Sequence, residues 1–143
     1  MADLLATHLA QINALYEATG RGDWLAAAEH LTDDFFVTEA DSLPFAGVYS
    51  GKGALQELFQ KVMSMADVVD LEIHETTVGE NYAVTIVDMI FKAPTGARAR
   101  IAEMFRFRGD KVCEIRPYYF DPAPVHAAVR AKQEAERAAE SAA

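Results

Sequence analysis

Ala97 to Pro122, ARARIAEMFRFRGDKVCEIRPYYFDP, is the stretch whose reading decides the fold. It predicts two long antiparallel strands joined by a tight turn at Arg108-Gly109-Asp110-Lys111. Side chains alternate across a strand. In the first strand Ala99, Ile101, Glu103, Phe105 and Phe107 share one face, and Arg98, Arg100, Met104, Arg106 and Arg108 share the other. The first set is expected inside, and the arginines are expected to meet water or a partner. Glu103 then falls in the middle of a buried row, where a carboxylate is costly unless it is paired, hydrogen-bonded or protonated. That anomaly is the strongest functional signal in the chain.

Working upstream, Val69, Leu71 and Ile73, then Tyr82, Val84, Ile86, Asp88 and Ile90, recur with period two and predict two more strands. Pro94-Thr95-Gly96 reads as the hairpin turn into the opening stretch. If that turn has four residues, Pro94 to Ala97, Asp88 lies directly opposite Glu103 on the inner face, and the two carboxyls share a proton. If it has three, the two point to opposite faces unless a bulge intervenes. Asp88 is then an ordinary exposed acid. The other sheet face is expected to carry Val87, Met89, Phe91, Met104, Tyr118 and Phe120 among charges. An apolar face of that kind needs covering, so a homodimer through it is expected.

Before the strands the pattern is helical. Leu5, Leu9, Ile12 and Leu15 or Tyr16 form one stripe, ended by Gly20-Arg21-Gly22. Asp23 is placed to cap a second helix holding Trp24, Leu25, Ala28 and Leu31. Thr32-Asp33-Asp34 is expected to break it, and Phe35 to Glu39 to form a short strand. Residues 40–50 read as a loop whose Leu43, Phe45, Val48 and Tyr49 pack over something. Ser50 is placed to cap a third helix with Leu55, Leu58, Phe59 and Val62 on one face. The plan is α+β: three N-terminal helices covering one face of a curved antiparallel sheet. One domain is expected over residues 1–125. Residues 126–143 should form a polar, Ala-rich helix or tail with only Val129 to bury beyond Val125.

The chain has 143 residues, the size of one domain, and 51% of them are hydrophobic, enough for a sizeable core. Net charge is −9 and the pI about 4.8, which argues against nucleic acid or an anionic membrane as partner. A single cysteine, Cys113, excludes an intrachain disulfide and a cysteine zinc cluster. Cys113 is expected to be a small core residue. Asp3 follows the start with no basic region, and no apolar run suits a membrane helix, so a cytoplasmic protein is expected. His8, His30, His74 and His126 lack ligand spacing, and no metal or other cofactor is expected. His8 alone is placed near the core stripe.

Several of these segments resemble one family. Gly22-Asp23 between the first helices, Thr32-Asp33-Asp34-Phe35, and Phe45-Ala-Gly-Val-Tyr-Ser-Gly51 are similar to the SnoaL-like branch of the nuclear transport factor 2-like superfamily. So are Phe105-Arg-Phe-Arg-Gly-Asp-Lys-Val112 and Glu114-Ile-Arg-Pro-Tyr-Tyr-Phe-Asp121. The resemblance covers about residues 5–125 and implies a cone-shaped α+β barrel enclosing a deep pocket. The branch includes ketosteroid isomerase relatives and polyketide cyclases, and the fold hosts many activities and non-enzymes. By that resemblance Glu39 matches the isomerases' general base at the end of the first strand. Glu103 matches their protonated carboxyl before a Phe-Arg-Phe run. The position of their oxyanion-hole tyrosine falls on Leu15, with Tyr16 one residue away, so plain steroid isomerisation is not expected. Asp121 matches the aspartate that family cyclases use near the last strand.

The candidate catalytic residues are therefore Glu39, Asp88, Glu103, Asp121 and Tyr119. Tyr119 and Tyr16 are each able to donate a hydrogen bond to a developing oxyanion. Asp121 before Pro122 also fits a helix N-cap, and Glu39 an ordinary strand end. Tyr16, Trp24, Phe45, Phe59, Ile86 and Phe105 are expected to form the apolar walls that bind substrate. The reading is a cofactor-independent acid/base enzyme for a small aromatic or polycyclic substrate, of isomerase, cyclase or lyase/dehydratase type. Epoxide opening also fits. The alternative is a non-catalytic ligand-binding or assembly module.

Overall fold

The structure is a computed structural model that describes residues 2–92 and 96–142. Its elements run α1 (Ala2–Gly20), α2 (Trp24–Ala28), β1 (Leu31–Glu39), β2 (Gly47–Ser50), α3 (Ala54–Met65), β3 (Val68–Val78), β4 (Tyr82–Phe91), β5 (Arg98–Arg108), β6 (Lys111–Tyr119) and α4 (Ala123–Ala142). The β5–β6 hairpin closes with Arg108 opposite Lys111, and Gly109 takes the positive φ of 64° that this tight turn requires. The strands form one open sheet in the order β2-β1-β6-β5-β4-β3. Helices packed on this curved sheet make a cone-shaped α+β fold.

The sheet is larger than the antiparallel meander read from sequence. β1 lies parallel to β6, and β2 adds a sixth strand on the far side of β1. β1 starts at Leu31, not Phe35, so Leu31 leaves the second helix, which is only five residues long. Thr32-Asp33-Asp34 stays in the strand because Asp34 meets a cation across the sheet: Arg108 donates to both its carboxylate oxygens at 2.8 and 2.9 Å. Ser50 ends β2 and caps nothing; α3 begins after Gly53 with no side-chain cap. Asp23 caps α2 as expected, accepting from Ala26 N–H. Of the apolar loop residues, Leu43, Phe45 and Tyr49 are buried, while Val48 stays exposed.

Register sets the faces of the sheet. Phe91 N–H donates to Ala97 C=O, leaving five residues between these partners; Pro94 and Thr95 of the predicted turn lie outside the described residues. The consequence is that Thr85 faces Glu103, and Asp88 faces Arg100. Ala83, Thr85, Val87 and Phe91 therefore point inward and are buried. Asp88 and Ile86, predicted inside, belong to the outer face. Val87, Met89 and Phe91, predicted outside, belong to the inner one. Two bulges adjust the neighbours. One at His74 pairs Thr76, rather than Glu75, with Thr85. The other at Cys113 turns Glu114 outward while Val112 and Ile115 stay inward.

Under the helices the core is divided in two. One cluster joins Ile12, Leu15 and Ala18 of α1 to Phe35 and Val37 of β1, Ala83, Phe105, Phe107 and Ile115. The other joins Leu43, Phe45, Val62, Phe91 and Ala99 to Val125, Ala128 and Val129 of α4. The first turns of α4 are thus packed, and Lys132 fastens it further through Met63 C=O at 2.7 Å and Asp67 at 3.1 Å. Residues 133–142 are exposed. Among the described residues no helix is long and apolar enough to cross a membrane.

His8 fixes α1 to the sheet. It is buried, stacks on Phe107 with ring centroids 3.7 Å apart, and its ring nitrogens face Gly79 C=O at 3.0 Å and Gly109 C=O at 3.3 Å. These carbonyls belong to two different hairpin turns. His8→Ala removes the stacked ring and leaves the carbonyl that its ring N–H meets without this donor. It should cost about 2–4 kcal/mol, read as a lower urea midpoint at unchanged slope.

Candidate functional site

The inward row of β1 is Leu31, Phe35, Val37 and Glu39, so alternation carries a carboxylate to the last buried position of the strand. Glu39 is only 4% exposed, and its Oε1 has no hydrogen-bond partner among the described residues. On β5 Glu103 sits between Phe105 of the first cluster and Ala99 of the second. On β6 the inward Tyr119 lies against the second cluster, its ring 6.4 Å from Phe45. α1 brings Tyr16 down from the first cluster, edge-on to Phe105, and its hydroxyl donates to Glu103 Oε1. The polar groups thus occupy the gap between the two halves of the core. Glu103, Tyr16 and Tyr119 each keep a part of their surface accessible.

The electrostatics follow from the missing cation. Among the described residues, no Lys, Arg or His is paired with Glu39 or Glu103. Burial, and then the neighbouring Glu103, push Glu39 up to about 8. Burial also raises Glu103, opposed by the hydrogen bond from Tyr16. Tyr119 is raised well above the usual phenol range by burial and by both glutamates, so it stays a neutral O–H donor. Below about pH 8 Glu39 therefore holds its proton, burial biases Glu103 toward holding its own, and the phenols beside them stay neutral in an apolar surround. That is a set able to exchange protons with a ligand and to steady a negative oxygen.

The outer face shows the opposite solution. Asp88 is 5% exposed, but its cover is guanidinium groups: Arg98 at 3.1 Å and Arg100, with His74 at 3.2 Å. The hydrogen bond from Arg100 holds Asp88 well below the usual carboxylate range. Glu114, also buried, is met by Arg106 at 2.8 Å and Arg116 at 2.9 Å. Glu72, His74 and Asp88 bring three potential ligand atoms together, but Arg98 bridges both carboxylates and places a positive charge where a metal ion would need to sit.

Of the predicted site residues, the structure brings together Glu39, Glu103, Tyr119 and Tyr16, with Phe105 and Phe45 against the two tyrosines. Tyr16, rather than Leu15, reaches the carboxyl; Leu15 is in the core. Asp88 and Ile86 are excluded by register. Asp121 is exposed, and its carboxylate accepts from Ala123 N–H at the start of α4 at 2.9 Å, so it acts as a helix cap. Trp24 packs on Phe59 and lines a separate cleft of about 460 Å³ between α2 and the start of α3, which none of these acids lines. Thr85 was not anticipated. It is fully buried beside Glu103, and its only sequence signal is a hydroxyl within the run Tyr82-Ala-Val-Thr-Ile-Val.

The fold and this gap define a class. The SnoaL-like domain family matches residues 12–115, and the chain belongs to that family. No curated protein shows significant sequence similarity to it. Solved structures share its fold. An NTF2-like protein of unknown function from Burkholderia pseudomallei K96243 is 16% identical, with a TM-score of 0.73 over 86% of this chain and 97% of that one. TerC, co-crystallized with polyporic acid, is 14% identical, with a TM-score of 0.76 over 87% of this chain and 98% of that one. A protein of Xanthomonas campestris pv. campestris, provisionally described as a polyketide cyclase, is 16% identical, with a TM-score of 0.66 over 88% and 98%.

The raised Glu39 has a thermodynamic consequence. Between about pH 4 and 8 the folded chain holds a proton that the unfolded chain releases. Stability therefore falls as pH rises through that window and levels off above it. Glu39→Gln should flatten the slope, by up to about 1.4 kcal/mol per pH unit for this one group. Urea melts across the window measure it, and an unaltered slope would mean that native Glu39 is already ionised.

Proposed function

We propose that the protein is a cofactor-independent acid/base enzyme acting on a small apolar carbonyl or phenolic compound held between the two halves of the core. The observation that carries this is the buried, unpartnered Glu39 carboxyl next to the Tyr16–Glu103 pair, with no cation among the described residues paired to either acid. A ligand carrier gains nothing from such a pair, which costs stability. In the reading that fits best, ionised Glu39 takes a proton from carbon next to a carbonyl. The C–H electron pair moves into the new C=C bond, and the carbonyl oxygen becomes an enolate. Protonated Glu103, oriented by Tyr16, and Tyr119 donate to that oxygen. Return of the proton elsewhere gives isomerisation; loss of a β-substituent gives elimination; attack on an internal carbonyl gives cyclisation.

Family membership supports this range of chemistry without selecting within it. Polyporic acid, the ligand of TerC, is a reasonable first probe beside simple phenols and ketones. The proposal includes a homodimer through the outer sheet face, where Tyr118 and Phe120 are 53% and 88% exposed. Light scattering at micromolar concentration should then give twice 15.7 kDa, and a monomer counts against it.

Once a turned-over substrate is found, Glu39→Gln and Glu103→Gln should each lower kcat by about 10²- to 10⁴-fold with the fold retained. With Glu39 as base, kcat/KM rises with pH through about 8 and then flattens. Loss of less than about tenfold in both variants would sink the catalytic reading.

A further inference from the structure

Three neighbouring strands place Thr76 of β3, Thr85 of β4 and Glu103 of β5 in one row across the inner face: Thr76 pairs with Thr85, and Thr85 with Glu103. Thr76 and Thr85 hydroxyl oxygens are 2.9 Å apart. Above the row, Tyr16 donates its single proton to Glu103 and has the Thr85 hydroxyl as its other polar neighbour. Thr85 is fully buried, while Thr76 is half-buried on the edge strand.

We propose that Thr76, Thr85 and Tyr16 form a hydrogen-bonded relay from the sheet edge that sets the proton affinity of Glu103, with Thr85 as its essential positioning residue. The inference rests on the acid/base reading of the same site and names residues which that reading does not require.

The direction of the relay is fixed by counting protons. A tyrosine or threonine hydroxyl has one hydrogen to give. With Glu103 ionised, the Tyr16 hydrogen is committed to the carboxylate, so a bond between Thr85 and Tyr16 can run only from the Thr85 hydroxyl to the Tyr16 oxygen. The Thr85 oxygen must then accept from Thr76. Every donor points toward the negative charge, and each bond polarises the next. With Glu103 protonated, the order is free to reverse, with the carboxyl hydrogen given to Tyr16 or to a ligand. The relay thus favours ionised Glu103 against the burial that disfavours it. The bulge at His74 is what admits Thr76: an unbroken register would set Glu75 opposite Thr85 and put a third acid in the row.

The test is a carbon NMR titration of the Glu103 carboxyl, which needs no substrate, in the wild type and in Thr85→Val, Thr85→Ser and Thr76→Val. Thr85→Val should move the Glu103 midpoint upward, Thr85→Ser should restore it, and Thr76→Val should move it upward by less. If a substrate is in hand, Thr85→Val should also lower kcat roughly 2- to 12-fold, the worth of one ordinary hydrogen bond, and shift the pH profile in the same sense. If Thr85→Val does not fold, Thr76→Val decides alone, because that side chain is at the edge. Folded variants with an unmoved Glu103 midpoint overturn the relay. A midpoint that moves in a protein with no turnover on any probe upholds the relay and counts against the enzyme reading instead.

Discussion

A pair of strands has one register, and the register of β4 on β5 decides which charges this protein keeps inside. With Thr85 opposite Glu103, the inner face of β4 is Ala83, Thr85, Val87 and Phe91, which complete both halves of the core. Asp88 then falls opposite Arg100, where two guanidiniums meet it. A slip of one residue would exchange the faces. Asp88 would leave its arginines for an apolar interior, and Val87 and Phe91 would leave it. Core packing and charge pairing therefore favour the same register.

Among the described residues, the carboxylates Glu39, Asp88, Glu103 and Glu114 of this sheet have little exposed surface, and they meet two fates. Asp88 and Glu114 are covered by arginines that pair with them, a cover that attracts as it desolvates. Glu39 and Glu103 are covered by apolar groups and each other, so burial dominates and their protons are held more tightly. The second arrangement opposes stability, and it persists where the core is split. The two apolar clusters provide cohesion on either side, and the two acids lie between them. Tyr16 and Tyr119 reach toward these acids from opposite sides, one anchored in each cluster.

Much of this was legible. Alternation in residues 97–122 gave the hairpin and put Glu103 inside; the end of the first strand gave Glu39; the helical stripe gave Ile12 and Leu15. Period alone put Glu103 inside, whereas Glu39 was singled out by the resemblance to the ketosteroid isomerases. Asp88 and Ile86 were misplaced because strand β4 is apolar on both faces. Val84, Ile86 and Ile90 read as a core row no worse than Ala83, Val87 and Phe91. Only the five-residue connection separates the two readings. Tyr16 was ambiguous for a similar reason: one helical position is about 100° of rotation, and both Leu15 and Tyr16 fit the stripe.

The sequence by itself determined the class of fold, the inward parity of Glu103, and the exclusion of an intrachain disulfide. These depend on local periodicity and composition, which neighbours along the chain carry. The tertiary structure alone decided what those acids meet. That β1 runs parallel to β6, that Thr85 lies beside Glu103, and that arginines surround Asp88 but not Glu39 depend on contacts between residues tens of positions apart. A carboxyl's proton affinity is set by whichever charges and dipoles end up within a few ångströms, and no spacing along one strand records them.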